Sequence, residues 1–238
     1  MGVIYVPSKG VASWKELLAD PTKHWKEGHS AIELAKAWEG ANGFPIEVQR
    51  MFTESGIDLF QDIEILYAFP EFKVSLLGGS KASQNDLYVL AKGAKGSVVI
   101  MVEGKVREDF GPLVKEKLDK GQAKNRLEFL RQKLALSDKV NIDSVHYQLL
   151  HRTVSAILEA ERVGAKAALM LVHSFDFNRS HFDDFAKFVS LYGVKAVPDK
   201  IIGPILGKKS GMPVYLGWCS AANKLKQQKK AAKVQVVK

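Results

Sequence analysis

The run Val98-Val99-Ile100-Met101-Val102 constrains the fold of this chain more than any other stretch. Five consecutive apolar residues, four of them β-branched, leave no alternate positions for water. The run is therefore expected to be a strand covered on both faces, inside a sheet flanked by helices. It leads directly into Glu103-Gly104-Lys105, and it is preceded by "NDLYVLAK" and the turn sequence "GAKG". The two strands are expected to form a hairpin.

With the turn centred between Ala94 and Lys95, Asp86 faces Glu103 and Gln84 faces Lys105. Residues two apart on a strand share a face, so Glu103 and Lys105 point together, while Gly104 puts no side chain on the other side. Directly opposed Cβ atoms lie about 4.5–5.5 Å apart, close enough for two carboxylates to share a hard divalent cation at oxygen distances of roughly 2.0–2.6 Å. Without such an ion the repulsion between Asp86 and Glu103 has no compensation beyond Lys105. The alternative is a structural ion-pair cluster at a strand end.

The elements around the hairpin are legible from period and caps. Ser13 to Ala19 is a short helix candidate, and "HSAIELAKAWEG" a better one, with Ser30 and Glu33 in capping-box spacing and Gly40 as its stop. Pro45 to Glu54 and Leu59 to Tyr67 read as further short helices, which makes residues 1–69 mainly helical. From Pro70 the period changes, and "EFKVSLLGG" reads as a strand. Leu113 to Leu118, Asn125 to Leu134 and about Ser144 to Val163 come next as helices, the last with Asp143 as N-cap. "AKAALMLVHSF" is a buried-type strand, "SHFDDFAKFVSLYG" an amphipathic helix with Gly193 at its C-cap, and "PVYLGWCS" a final strand. No linker divides the chain, so residues 1–222 are expected to form one α/β domain, with residues 70–222 as its sheet core and 223–238 as a tail.

On the long helix Gln148, Arg152, Ser155 and Glu159 recur on one polar face opposite Leu149, Val154 and Ile157. That face can look into a site beside the hairpin, or simply into solvent.

The net charge of +9 is not spread evenly. After Asp199 there are nine lysines and no Arg, Asp or Glu, and they equal the whole excess of Lys and Arg over acids. The lysine-rich residues 223–238 suit a polyanion held by counterion release, or a solvated tail. The single cysteine, Cys219, provides neither a disulfide framework nor a cysteine-based zinc cluster and points to a reducing, cytoplasmic setting. No apolar run approaches a membrane span, no secretory segment follows Met1, and Val6 stands where a myristoylation signal takes Ser or Thr.

Several signals are set aside. In "GPILGKKS" the glycines enclose three residues where a phosphate loop needs four. His24 and His29, like His146 and His151, are spaced five apart, off one helical face for zinc. Cys219 is read as buried and inert, and Trp14, Trp25 and Trp38 as packing residues.

Asn85-Asp86, with Glu103-Gly104-Lys105 seventeen residues later, resembles the PD-(D/E)xK nuclease superfamily, with Asn85 in place of the usual Pro. "HWKEGHSA", "SQNDLYVLA", "VEGKVREDFG" and "HYQLLHRTVSA" are similar to an uncharacterised prokaryotic family of stand-alone proteins, over about His24 to Phe175. The superfamily resemblance implies a restriction-endonuclease-like mixed four-stranded sheet flanked by helices, here with a helical N-terminal segment. It also implies Mg²⁺ or Mn²⁺ held by Asp86 and Glu103, with the Gly104 carbonyl completing the shell and Lys105 positioning or deprotonating the attacking water. By the same analogy Gln148 has a supporting role, and an upstream glutamate joins the metal site, Glu71 in preference to Glu39 or the capping residue Glu33. The implied activity is hydrolysis of phosphodiester bonds in DNA rather than RNA, with a homodimer allowed. The alternative is a non-catalytic nucleic-acid- or partner-binding module on the same fold.

Overall fold

The computed structural model describes residues 8–118, 123–206 and 211–221. Its centre is a mixed six-stranded sheet in the order β1-β2-β3-β4-β6-β5, formed by β1 (Glu64–Val74), β2 (Ser83–Gly93), β3 (Gly96–Lys105), β4 (Ala167–Ser174), β5 (Lys200–Leu206) and β6 (Val214–Ser220). β1, β2 and β3 run antiparallel in succession, β4 is parallel to β3 and to β6, and β5 is antiparallel to β6. The sheet thus has two strands more than the expected four. Among the described residues no helix is long and apolar enough to cross a membrane.

The apolar run behaves as its composition demands. Val99 and Met101 face the helices α5 (Ala123–Lys133), α6 (Tyr147–Val163) and α7 (Phe182–Ser190). Val98, Ile100 and Val102 face α2 (Ser30–Glu39) and α3 (Ile46–Thr53) across the sheet, and all five residues are buried. The short helices α1 (Pro21–His24) and α4 (Val114–Leu118) complete the set. The β2–β3 pairing runs from Gly93 with Gly96 to Leu87 with Val102, the register that faces Asp86 toward Glu103 one step further on. Gly96, at φ +128, closes the turn, and a Cβ there would lie 2.5 Å from the Lys166 side chain.

Several expectations are corrected. Leu59 to Tyr67 is no helix: a 3₁₀ turn covers Asp58–Phe60 and β1 begins at Glu64. Pairing with β2 along the whole of "EILYAFPEFKV" outweighs local preference. Pro70 is tolerated inside β1 because that strand lies at the sheet edge. The capping box is absent; His29 holds the N-cap position of α2 and the Ser30 amide donates to Glu108 Oε1 at 2.9 Å. Helix α6 starts at Tyr147 and not at Ser144, because Val145 and His146 are held extended by Val114 N–H···O Val145 (2.9 Å) and a bridge from Leu113 to His146. Strand β5 is an element that the sequence pattern does not announce. Gly193 is not the C-cap of α7; Leu191 is. The tail at 223–238 lies outside the described residues.

Helix α2 fixes the height of the β3 end through Leu34, which is fully buried and packs where a Cβ on Gly104 would approach its side chain to 3.4 Å. Leu34→Ala should lower stability by about 2–5 kcal/mol in chemical denaturation. A loss under about 1 kcal/mol would mean that α2 does not brace this strand end.

Candidate functional site

Strand alternation places Glu103 and Lys105 on the α6 side of the sheet, in the row begun by Val99 and Met101. They are only 3% and 5% exposed, and an isolated charge so deeply buried costs several kcal/mol unless it is paired. Both are paired. Lys105 Nζ donates to Glu103 Oε1 at 2.8 Å and to Gln148 Oε1 at 3.1 Å, and stands 4.8 Å from the centre of the Phe110 ring. Arg152, one helical turn after Gln148 on α6, donates through Nε to Glu103 Oε2 at 2.5 Å.

Two further carboxylates close the group. The Asp86 Oδ2 accepts the Gly104 amide at 2.8 Å, and its Oδ1 lies 3.9 Å from Arg152 Nη2. Glu71 stands between the pairs Pro70–Leu87 and Phe72–Asn85, so it occupies the β1 position beside Asp86. Its φ of 53 is a left-handed conformation that a residue with a Cβ adopts at a cost of roughly 1–2 kcal/mol, a kind of strain that gathers at functional sites. Glu71 Oε2 accepts from Gln84 Nε2 at 2.7 Å, so Gln84 pairs with Glu71 rather than with the Lys105 it was expected to face. Glu71, Asp86 and Glu103 thus form a row across three neighbouring strands.

The three acids are held in different states. Burial alone would raise the Glu103 pKa, but the charges of Arg152 and Lys105 outweigh it and hold this carboxyl down at about 2. Burial pushes Asp86 well above the usual carboxylate range, with Glu103 and Glu71 adding repulsion. Burial likewise pushes Glu71 up to about 7, against the pull of the Gln84 hydrogen bond and Arg152. Arg152 stays charged because Glu103 and Asp86 outweigh its own desolvation. The two cations therefore hold one acid ionised, while the other two resist ionisation.

A divalent cation would favour the ionised forms of those two acids, and the donor set shows which kind it fits. Among the described residues no three His, Cys, Asp or Glu side chains form a group able to hold a metal ion by themselves. Both oxygens of Glu103 are engaged, whereas the Asp86 side chain keeps 21% of its exposure. The residues fit an open site in which one or two carboxylates hold an ion that keeps several waters and completes its shell with substrate, the usual habit of Mg²⁺. Gly104 meets the site through its amide, given to Asp86.

The remaining candidates lie elsewhere. Glu39 accepts from Trp14 Nε1 at 2.7 Å, and Glu33 pairs with Lys36 at 3.6 Å, so neither joins the carboxylate row. Only the first half of the polar face of α6 reaches the site: Ser155 donates to the His151 carbonyl and Glu159 pairs with Arg162. Cys219 is buried, its thiol pushed up by desolvation and then by Glu47. Sequence reasoning finds Arg152 only as part of a helix face and misses Ser83. Arg152 Nη1 donates to Ser83 Oγ at 3.1 Å, which lies 2.9 Å from His151 Nδ1. The four-residue step from Gln148 is the signal for Arg152, since whatever α6 brings to Lys105 it also brings to Glu103.

Raised carboxyl pKa values act on stability in a definite sense. A Glu71 that titrates at about 7 when folded and near 4.5 when unfolded stabilises below about pH 4.5, and that contribution is lost as pH rises to about 7. The advantage of Glu71→Gln over the parent should therefore grow from near zero at about pH 4.5 to about 1–3 kcal/mol at about pH 8 in urea unfolding. Parallel pH profiles for the two proteins would contradict the placement of Glu71 in the cluster.

Compared with the curated proteins and with the solved structures, the chain finds no significant match in either. A family model described as a domain of unknown function (DUF6946) matches residues 7–223, and the chain belongs to that family.

Proposed function

We propose that the protein is a metal-dependent nuclease of the PD-(D/E)xK type, hydrolysing phosphodiester bonds in DNA. The reading rests above all on one observation: Glu71, Asp86 and Glu103 lie in a row on three adjacent strands, with Lys105 in contact with Glu103 and Gln148. The sheet is read as a restriction-endonuclease-like core, with β1 to β4 as its four mixed strands and β6 and β5 added at the far side. The site sits at the carboxyl end of β3, beside parallel β4, where open α/β sheets take their ligands.

Asp86 and Glu103, with Glu71 beside them, would hold Mg²⁺ or Mn²⁺, which supplies charge stabilisation for the phosphodiester and a water of lowered pKa. The chain's own groups do the rest. The Lys105 ammonium has three N–H donors, two given to Glu103 and Gln148, which leaves one for a phosphate oxygen or the attacking water. Gln148 and the Phe110 ring hold the amine in place for this role. As water attacks phosphorus and a P–O ester bond breaks, Lys105 meets the developing negative charge at a fixed position.

A second reading has its own support, since Lys105 and Arg152 already neutralise Glu103. On that reading the cluster is a structural ion-pair network in a nucleic-acid- or partner-binding module. Calorimetric titration with Mn²⁺ separates the two: the nuclease should bind it in the micromolar-to-millimolar range typical of open sites and lose binding in Asp86→Asn, whereas silence in the parent favours the module.

Lys105→Met, which keeps the side-chain volume, should lower plasmid cleavage by about 100-fold or more with the fold retained by circular dichroism. Cleavage by the parent should stop in chelator. A variant cutting at the parental rate would remove Lys105 from the mechanism.

A further inference from the structure

A cleft of about 560 Å³ opens beside the carboxylate row, within the roughly 300–1,000 Å³ typical of ligand pockets. Gln148 and Arg152 form its boundary with the site, and Ser83 and Gln84 lie at the same edge. Its charge is one-sided: Lys81, Lys117, Arg126 and Arg152 line it, and among the described residues no Asp or Glu does. Its walls carry rings, with Tyr147 and His151 at a centroid distance of 5.3 Å, Phe110 nearby, and Lys117 Nζ 5.8 Å from the Tyr147 ring centre.

The walls are built rather than incidental. Arg126 gathers the loop before β2 by donating to the carbonyls of Leu76 (3.1 Å), Gly79 (2.6 Å) and Lys81 (2.6 Å). Gly78 passes so close to the start of α5 that a Cβ on it would stand 2.4 Å from the Arg126 amide nitrogen. On the opposite wall His151 is tied to Arg152 through Ser83. Arg152 Nη1 donates to Ser83 Oγ at 3.1 Å, and His151 Nδ1 lies 2.9 Å from the same oxygen. Burial, and then the charge of Arg152, keep this imidazole neutral. The ring lines the cleft.

We propose that this cleft receives one unstacked nucleotide of a single-stranded DNA segment, an inference that rests on reading the neighbouring site as one for a phosphodiester substrate. Rings offer stacking to any base, cations at the rim take the flanking phosphates, and the absence of carboxylates among the described lining residues removes repulsion. A base stacked against the wall that Tyr147 and His151 form together brings the adjacent phosphate toward Gln148 and Lys105. The substrate class is accordingly a frayed end, overhang or single strand rather than an intact blunt duplex.

The test measures fluorescence anisotropy of a labelled oligothymidylate against the full chain in chelator, with an unlabelled blunt duplex of equal length as competitor. The single strand should bind, the duplex should compete poorly, and Tyr147→Ala and the exposed Lys81→Glu should each weaken binding by about ten-fold. Because Tyr147 is half-buried, Lys81→Glu carries the result should Tyr147→Ala prove unstable. Binding through the lysine-rich residues 223–238 is common to all variants and is measured by the duplex. No binding by the parent, equal competition by the duplex, or parental affinity in Lys81→Glu each overturns the proposal. Since the assay contains no metal, oligonucleotide binding in this pattern without any plasmid cleavage keeps the cleft and sinks the nuclease. Metal-dependent cleavage without the pattern does the reverse.

Discussion

Everything at the end of β3 depends on the pairing of buried Glu103 with two cations brought from different directions. Lys105 comes from the same strand face, two residues on, and Arg152 from α6 packed over that face. Take both away and an uncompensated charge remains in a nearly closed space, which is a heavier penalty than never having placed the ions there. The pair is therefore a poor device for stability, and an apolar strand end would serve the fold better. Its value lies in fixing an amine, a guanidinium and three carboxylates at set positions.

The surrounding architecture supplies rigidity for that arrangement. Strand β3 is buried on both faces, with α2 on one side and α6 on the other, so the polar end cannot relax by moving the strand. Gly104 leaves room for Leu34 on the α2 side while its amide holds Asp86. The edge strand β1 contributes Glu71 through a left-handed backbone step after Pro70. The result is one neutralised acid and two that resist ionisation, a state that, on the proposed reading, a divalent cation and a phosphodiester would complete. On the proposed reading, the cationic, ring-lined cleft on the same side extends this logic from a reacting phosphate to a nucleotide.

The hairpin is legible in the sequence because strand alternation and a turn centre together fix which side chains meet. Val98 to Val102 can only be an interior strand, and Asp86 facing Glu103 follows from the register that the structure shows. The stretch Leu59 to Tyr67 misleads because β1 gains its conformation from pairing with β2, an effect that no local window contains. The start of α6 is hidden for a similar reason, since Pro112, Leu113 and Val114 reach across to hold Val145, His146 and Tyr147. Strand β5 carries little apolar alternation and pairs at the edge of the sheet. At the site, the paired register of β2 and β3 ends at Leu87 and Val102, short of Gln84 and Lys105, and each of these takes a charged partner nearer to hand. The part played by Arg152 needs the docking of α6 on β3, which periodicity alone does not set.

The claim that these side chains form one electrostatic unit is tested most directly by NMR titration of the side-chain carboxyl carbons. Glu103 should remain ionised down to about 2 while Glu71 titrates at about 7. If both titrate near the ordinary glutamate value of about 4.3, the carboxylates and cations do not converge, and the proposed site loses its physical basis.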